Sequence, residues 1–224
     1  MKKSIQILAL FMGLSTFFAC NSTRIIDSWT KETLSDLKDN NVLIIAKSSD
    51  KMTRINGEDA FAKELEKRGI SVTKSYDAFP NIDPGKEYSA EETQALRDQL
   101  YDKGYRVVLV SAIKDKSEAI VQTESGGYYT GPYYPAYYPR YYYGFNSYYG
   151  SVYSPYMGYT PSVTRTSKET TYVLETVLYD LNKSDDSQLV GITTASITDP
   201  ASIKSGAQQY AAAIVETMYG GPGK

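Results

Sequence analysis

Short apolar runs that alternate with stretches of helical periodicity constrain the fold of this chain most strongly. Residues 42–46 and 107–110 are continuously apolar and rich in Val, Ile and Leu, which is typical of strands buried on both faces. Residues 70–73 form a shorter third run directly after a glycine. Two helical stretches separate these runs, and alternation with short crossovers predicts a parallel sheet with right-handed connections.

The two helical stretches carry recognisable ends. The first helix is predicted over residues 56–68, opened by an Asn-Gly pair, and Gly69 is placed to end it. At the second helix, Ser89 and Glu92 have the spacing of a capping box, in which each side chain accepts from the other residue's backbone N–H. Gly104 predicts the end of that helix.

A different pattern occupies the C-terminal part of the chain. Residues 171–181 show a period of two and residues 189–197 are rich in Thr, Val and Ile, so the sequence predicts two strands joined by a polar turn. Asp199 followed by Pro200 predicts the N-cap and first turn of a last helix. The predicted buried stripe of this helix comprises Ile203, Ala207, Tyr210, Ala211, Ile214 and Met218.

Together these elements predict a single α/β domain over residues 41–220 with the order β-α-β-α-β-β-β-α. The expected architecture is a mixed five-stranded sheet, order 2-1-3-4-5, with only strand 4 antiparallel and the helices packed on the sheet. This layout resembles the anticodon-binding-type α/β fold, which also occurs in the curli-secretion lipoprotein and in the N-terminal domain of the Tol-system propeller protein. Such a likeness of fold assigns no function.

Residues 1–19 have the basic start, the apolar run and the final small residue of a secretory signal. The alternatives are an uncleaved anchor, for which the run is too short, and ordinary secretion, which would leave one unpaired thiol in an oxidising compartment. Cys20, the only cysteine, directly follows the small residue, which resembles a lipoprotein signal in which the thiol receives a diacylglyceryl group. We therefore predict lipidation of Cys20, followed by a tether and lead-in over residues 20–40.

The residue after Cys20 is Asn21 rather than the aspartate of an inner-membrane retention signal, so the outer membrane is the expected location, on its periplasmic or its surface side. The layout is similar to a family of Gram-negative outer-membrane lipoproteins, a resemblance that implies no activity. The residues that carry this resemblance are Ser28-Trp29, Asn41 to Ile45, Arg54, Glu58, Gly69-Ile70, Leu178-Tyr179-Asp180 and Leu189-Val190.

Composition excludes several classes of function. The chain has no histidine, and its one cysteine is assigned to lipid, which excludes His-based catalysis, thiol catalysis, disulfides and His- or Cys-ligated metals. Without the two lysines of the signal, 22 basic residues face 26 acidic ones and no basic cluster offers a face for nucleic acid. No glycine-rich phosphate loop follows the first strand. The sequence therefore predicts no cofactor, no metal and no nucleic-acid partner.

Residues 125–167 change composition abruptly and contain 14 of the 22 tyrosines, spaced by Gly, Pro and Ser. With so few aliphatic residues this segment cannot build a core, so it is expected to be an insertion at the tip of the hairpin between predicted strands 3 and 4. It is an inert low-complexity excursion, an interaction surface, or a segment lying at the level of lipid headgroups. The candidate partner-binding residues are Tyr128, Tyr129, Tyr133, Tyr134, Tyr137, Tyr138, Tyr141, Tyr142, Tyr143, Tyr148 and Tyr149. The segment also contains Tyr153, Tyr156 and Tyr159.

Arg54 and Glu58 are the other candidate site, either as ligand-binding groups where parallel sheets place ligands or as a structural i, i+4 ion pair. No catalytic constellation is present in the sequence. The expected function is a non-enzymatic, lipid-anchored binding or assembly module of the cell envelope. Its partner is another envelope protein, a second copy of the chain, or a glycan. The alternatives are a carboxylate-dependent enzyme acting on cell-wall glycan, which needs two facing carboxylates, and a structural or stress lipoprotein.

We predict that Cys20→Ser releases the protein from membranes, because the hydrocarbon chains that hold it there can no longer be attached. Fractionation of cell envelopes followed by immunoblotting measures this, with Asn21→Ser as the matched control that stays membrane-bound. Recovery of the Cys20→Ser protein in the membrane fraction would contradict the lipoprotein assignment.

Overall fold

The computed structural model describes residues 22–122 and 166–220. The predicted signal peptide, Cys20 and the tyrosine-rich segment lie outside the described residues. The α/β class is confirmed: one mixed sheet is covered by helices on both faces. Among the described residues, no helix is both long and apolar enough to span a bilayer.

The described ranges of the chain form six strands and four α-helices. The strands are β1 (Thr23–Thr30), β2 (Val42–Lys47), β3 (Val72–Lys74), β4 (Val107–Gln122), β5 (Thr166–Asp180) and β6 (Leu189–Thr198). The helices are α1 (Lys51–Glu66), α2 (Ser75–Ala78), α3 (Ala90–Asp102) and α4 (Ile203–Gly220), with a short 3-10 turn at Asp185–Ser187.

The sheet has the order β1-β6-β5-β4-β2-β3. Strands β2, β3 and β4 are parallel, β5 is antiparallel to both β4 and β6, and β1 is antiparallel to β6. The prediction of five strands is wrong, because a sixth strand, β1, forms the edge beside β6. The other five strands lie in the order β3-β2-β4-β5-β6, which corresponds to the predicted order 2-1-3-4-5.

That sixth strand, β1, lies in the segment predicted as a tether. Its register with β6 shifts between Ile25 and Asp27, a bulge that interrupts the alternation by which a strand is recognised in sequence. The residues that follow it also belong to the domain, since Leu34 and Leu37 are buried in the core. Trp29, by contrast, is 39% exposed. The chain therefore joins the folded domain at residue 22 and not near residue 41.

Each face of the sheet is covered by its own apolar core. Helices α1 and α4 cover one face, where Phe61 and Leu65 of α1 pack with Ile214 of α4 against strand residues such as Ile44. On the other face, α3 packs through Leu96 and the rest of its apolar side against β2, β4 and β5. Because apolar side chains leave both faces of the central strands, those strands read as continuous apolar runs.

Helix α1 begins at Lys51, earlier than the prediction at residue 56. The physical reason is Asp50, whose carboxylate accepts from the backbone N–H of Thr53 at 2.6 Å and so caps the helix. Gly57 lies inside the helix, where an added Cβ would stand 3.2 Å from the Cβ of Ala46. The glycine therefore permits close packing of α1 on β2 instead of marking the start of the helix.

The predicted N-cap of α4 is also wrong. Asp199 has a φ of 43°, and its carboxylate accepts from the N–H of Thr170 at 2.7 Å, so it ties β5 to the end of β6. The helix begins at Ile203, and the hydroxyl of Ser202 accepts from the N–H of Ser205 at 3.1 Å. Ile203, predicted to be buried, is 53% exposed.

We predict that replacing residues 23–30 with a Gly-Ser repeat of equal length lowers the free energy of unfolding of the unlipidated protein by about 2 kcal/mol or more. Complete burial of an aliphatic side chain contributes roughly 1.5–3 kcal/mol, of which the partly buried Ile25 contributes a share, and the hydrogen-bonded ladder with β6 is lost as well. Urea denaturation measures the change. Replacing the exposed Lys38 and Asp39 with Gly-Ser is the control. Equal stability of the two variants would show that residues 23–30 act as a tether.

A candidate functional site at the carboxyl edge of the sheet

A cavity of about 310 Å³ lies at the carboxyl edge of β2 and β4, between the N-terminal parts of α1 and α4. This is the edge at which open α/β sheets place ligands, and the volume is at the lower end of the roughly 300–1,000 Å³ usual for ligand pockets. The sequence did not point to this cavity. Its walls come from six elements, β2, α1, β4, β5, β6 and α4, which are spread along the chain.

The walls of the cavity are mainly apolar. Phe61 of α1, Leu174 of β5 and Ile197 of β6 contribute the largest aliphatic and aromatic surfaces. Ile113 and Ile203 also line it and are 41% and 53% exposed, so apolar surface extends from the cavity to solvent. An apolar cavity that continues into exposed isoleucines favours an apolar ligand over a polar one.

The hydroxyl of Tyr210, which lines the cavity, is hydrogen-bonded within the protein. The hydroxyls of Tyr210 and Thr176 are 2.8 Å apart, and Ser111 also hydrogen-bonds Tyr210. The Tyr210 ring meets Phe61 edge-on with 5.8 Å between centroids. Burial raises the pKa of the Tyr210 hydroxyl well above its ordinary value, so it stays protonated. These hydroxyls complete a wall and do not form an acid–base system.

No Asp or Glu lines this cavity. A glycosidase-type reaction needs two carboxylates flanking the substrate bond, and this cavity supplies neither. Within residues 22–122 and 166–220, no cluster of three or more His, Cys, Asp or Glu side chains is placed to hold a metal ion.

The structure brings Arg54 and Glu58 together in a buried pair on α1, with 3.2 Å between Arg54 Nε and Glu58 Oε1. Glu58 is completely buried. Its carboxylate also accepts from the backbone N–H of Ala46 at 3.2 Å, the hydroxyl of Ser75 at 2.6 Å and the N–H of Tyr76 at 3.0 Å. The pair therefore joins α1 to β2 and α2, and Glu58 presents no oxygen to a ligand.

Arg54 extends the same network to the connection that follows α2. Its guanidinium donates to the carbonyl oxygen of Ile82 at 3.1 Å and to the hydroxyl of Ser75 at 2.9 Å. The sequence left this pair as a ligand site or a structural i, i+4 ion pair. Both side chains are buried rather than exposed, and neither lines the cavity. Its geometry is that of a structural pair that holds the carboxyl edge of the sheet together.

Charged groups occupy the α3 side of the same edge. Burial, reinforced by the nearby charge of Lys114, lowers the pKa of Lys47 to about 8. Lys114 also lies 3.4 Å from the buried Glu175, measured from Nζ to Oε1. Part of the Lys47 population is therefore neutral near physiological pH, which reduces the cost of holding this amine beside the apolar cavity that it helps to line.

The hairpin that leads to the tyrosine-rich segment leaves the domain at this edge. Its register shifts between Ile113 and Asp115, and beyond this bulge β4 and β5 continue as paired strands as far as Gln122 opposite Thr166. Strand β6 ends at Thr198, so the outermost residue pairs of the hairpin form a free two-stranded ribbon. The expected insertion site of the tyrosine-rich segment, at the tip of this hairpin, is where the described ribbon ends.

The N-terminal end of the described chain is fixed at the same edge. The carbonyl oxygen of Ser22 accepts from the N–H of Thr198 at 3.1 Å. The amide oxygen of Gln209 on α4 accepts from the hydroxyl of Ser22 at 2.9 Å and from its backbone N–H at 3.2 Å. Ser22 is thus held beside the part of α4 that lines the cavity.

Comparison with known proteins gives structural neighbours only. No family model matches the chain, and no curated protein matches it. The PelC dodecamer from Paraburkholderia phytofirmans is 12% identical, with a TM-score of 0.44, covering 86% of this chain and 94% of that chain. A single-substitution variant of that dodecamer is also 12% identical, with a TM-score of 0.41, covering 88% of this chain and 96% of its own. At this level the likeness establishes neither a shared fold nor a shared function.

We predict that Glu58→Ala lowers the free energy of unfolding by about 3–5 kcal/mol, because it leaves the Arg54 guanidinium buried without its carboxylate. Urea denaturation of the unlipidated protein measures this. Glu66→Ala on the same helix is the matched control. Glu66 is exposed, and a substitution at such a surface position changes the free energy of unfolding by no more than about 0.5 kcal/mol. Equal losses in the two variants would contradict a structural role for the buried pair.

Proposed function

We propose that this chain is a lipid-anchored protein of the outer membrane that works as a non-enzymatic binding or assembly module. Its contact surface is the tyrosine-rich segment, including Tyr128, Tyr141 and Tyr149. The observation that carries the proposal is the shared position of two features: Ser22, two residues after Cys20, and the ribbon of β4 and β5 both lie at the carboxyl edge of the sheet.

Chain length limits how far apart the anchor and the ribbon can be. Cys20 cannot lie more than about 7 Å from Ser22, since two residues span no more than that when extended. The ribbon extends five residue pairs beyond the level of Thr198, from Glu118 to Gln122, which is about 17 Å at the usual strand rise. A lipid on Cys20 therefore keeps the carboxyl edge, and with it the ribbon, close to the bilayer.

A tyrosine-rich segment suits that position. Tyrosine offers a rigid ring and a hydroxyl at small entropic cost, which favours it in binding surfaces, and it is also enriched at the membrane–water interface. A segment carried on the membrane side of the domain reaches partners at the same membrane surface. These partners are an envelope protein, a second copy of the chain, or a glycan whose sugar faces stack on the rings.

Two features of the described residues support a non-enzymatic role, the lining of the cavity and the hydrogen bonding of Glu58. The cavity contains no carboxylate pair, and the polar atoms of Glu58 are used within the protein. The absence of histidine from the sequence removes the usual general base.

The register of the ribbon allows a clean test of the proposal. Gln122 and Thr166 are directly opposite each other, so residues 123–165 can be replaced by Asn-Gly, a two-residue turn suited to closing a hairpin. We predict that this variant keeps the melting temperature of the domain. In intact cells, the full-length protein with a photoreactive residue in place of the exposed Lys168 is expected to cross-link to its envelope partner. The shortened variant with the same photoreactive residue should lose these cross-links.

A second variant separates tyrosine chemistry from segment length. Changing all 14 tyrosines of residues 125–167 to serine keeps the length, and it should abolish the same cross-linked species. If both variants keep the wild-type adducts, the tyrosine-rich segment is not the contact surface.

A further inference from the structure

We propose that the apolar cavity between α1 and α4 binds one acyl chain of the lipid carried by Cys20. This inference rests on the lipidation of Cys20 in the proposed function, and it assigns the cavity an occupant from the same polypeptide. It makes the anchor a part of the folded structure as well as a link to the bilayer.

The shape and lining of the cavity suit a hydrocarbon chain. A volume of about 310 Å³ holds about ten methylene groups if each takes roughly the 30 Å³ of a water molecule in the liquid. Phe61, Leu174 and Ile197 supply apolar walls, and the exposed Ile113 and Ile203 extend apolar surface from the cavity outward. The hydroxyls of Tyr210 and Ser111, which line the cavity, are hydrogen-bonded to each other and so do not require a polar ligand.

Chain geometry places the lipid beside this cavity. Thr23 pairs with Ile197, which lines the cavity, and Ser22 is bonded to Gln209, which directly precedes the cavity residue Tyr210. Cys20 lies within about 7 Å of Ser22 because only two residues separate them. An acyl chain attached there starts next to two elements, β6 and α4, that supply walls of the cavity.

Two physical effects favour this occupant. An apolar cavity gives water few hydrogen bonds, so filling it with hydrocarbon restores dispersion contacts that an empty cavity lacks. A ligand tethered by two residues is present at high effective concentration, in the millimolar range for short flexible links. An acyl chain of a bilayer lipid has the same chemistry, but it is not tethered to the protein. An apolar side chain of a partner protein is not tethered either, and it is shorter than an acyl chain.

The test uses the native lipoprotein in its own membrane. Cells are supplied with palmitate that carries a photoactivatable diazirine, which enters phospholipids and the lipid on Cys20, and intact cells are illuminated. The purified protein is digested and examined by mass spectrometry. We expect a species in which the peptide containing Cys20 is joined through an acyl chain to a peptide that lines the cavity, such as one containing Ile197 or Ala207.

A matched pair of variants on α4 tests the site. Ala207 lines the cavity, so Ala207→Phe should fill it and abolish the joined species, whereas Gln208→Phe on the exposed side of the helix should retain it. Melting temperatures of both variants show that they fold. Ala207→Leu, a smaller change, should reduce the yield if Ala207→Phe does not fold.

Each other outcome overturns a specific statement. Cavity peptides joined to a phospholipid and not to Cys20 would show that the occupant is a bilayer lipid. A labelled Cys20 whose adducts never involve cavity peptides would refute the inference and leave the lipid anchor of the proposed function intact. An unlabelled Cys20 would refute the anchor itself.

Discussion

The buried carboxylate of Glu58 is the interaction on which the arrangement of the carboxyl edge depends. It accepts from α1 through Arg54, from β2 through Ala46 and from α2 through Ser75 and Tyr76. A buried carboxylate is tolerated only when paired and hydrogen-bonded, so these elements hold one another in a single geometry. The cavity beside them has a defined shape for that reason.

The pairing of β1 with β6 fixes the edge of the sheet at which the chain enters the domain. A free tether after Cys20 would leave the orientation of the domain open, whereas a strand that starts at Thr23 brings the chain out at one edge of the sheet. The ribbon that leads to the tyrosine-rich segment leaves at the same edge, and the turn between β5 and β6 lies at the opposite one. The first described residue, Ser22, the cavity and the ribbon therefore lie at one end of the described domain.

Sequence patterns predicted the elements whose signals are local. The buried runs of β2 and β4 and the Ser89–Glu92 capping box appear in the structure as expected. Strand β1 was not predicted because its bulge breaks the alternation of apolar and polar residues. The start of α1 was predicted too late because the Asn-Gly pair, a common signal for a turn, lies inside the helix that Asp50 caps. The cavity could not be read from sequence at all, since small residues such as Ala46, Gly57 and Ala207 give no signal until the elements are packed together.

The central claim is that the carboxyl edge of the sheet faces the bilayer. A fluorophore on S117C, in the hairpin, and another on S184C, in the β5–β6 turn, would lie about 30 Å apart along the strands. With the lipidated protein in vesicles whose headgroups carry an energy acceptor, the transfer efficiency at each site measures its distance from the membrane. We predict efficient transfer from residue 117 and weak transfer from residue 184, and equal or reversed efficiencies would contradict the account.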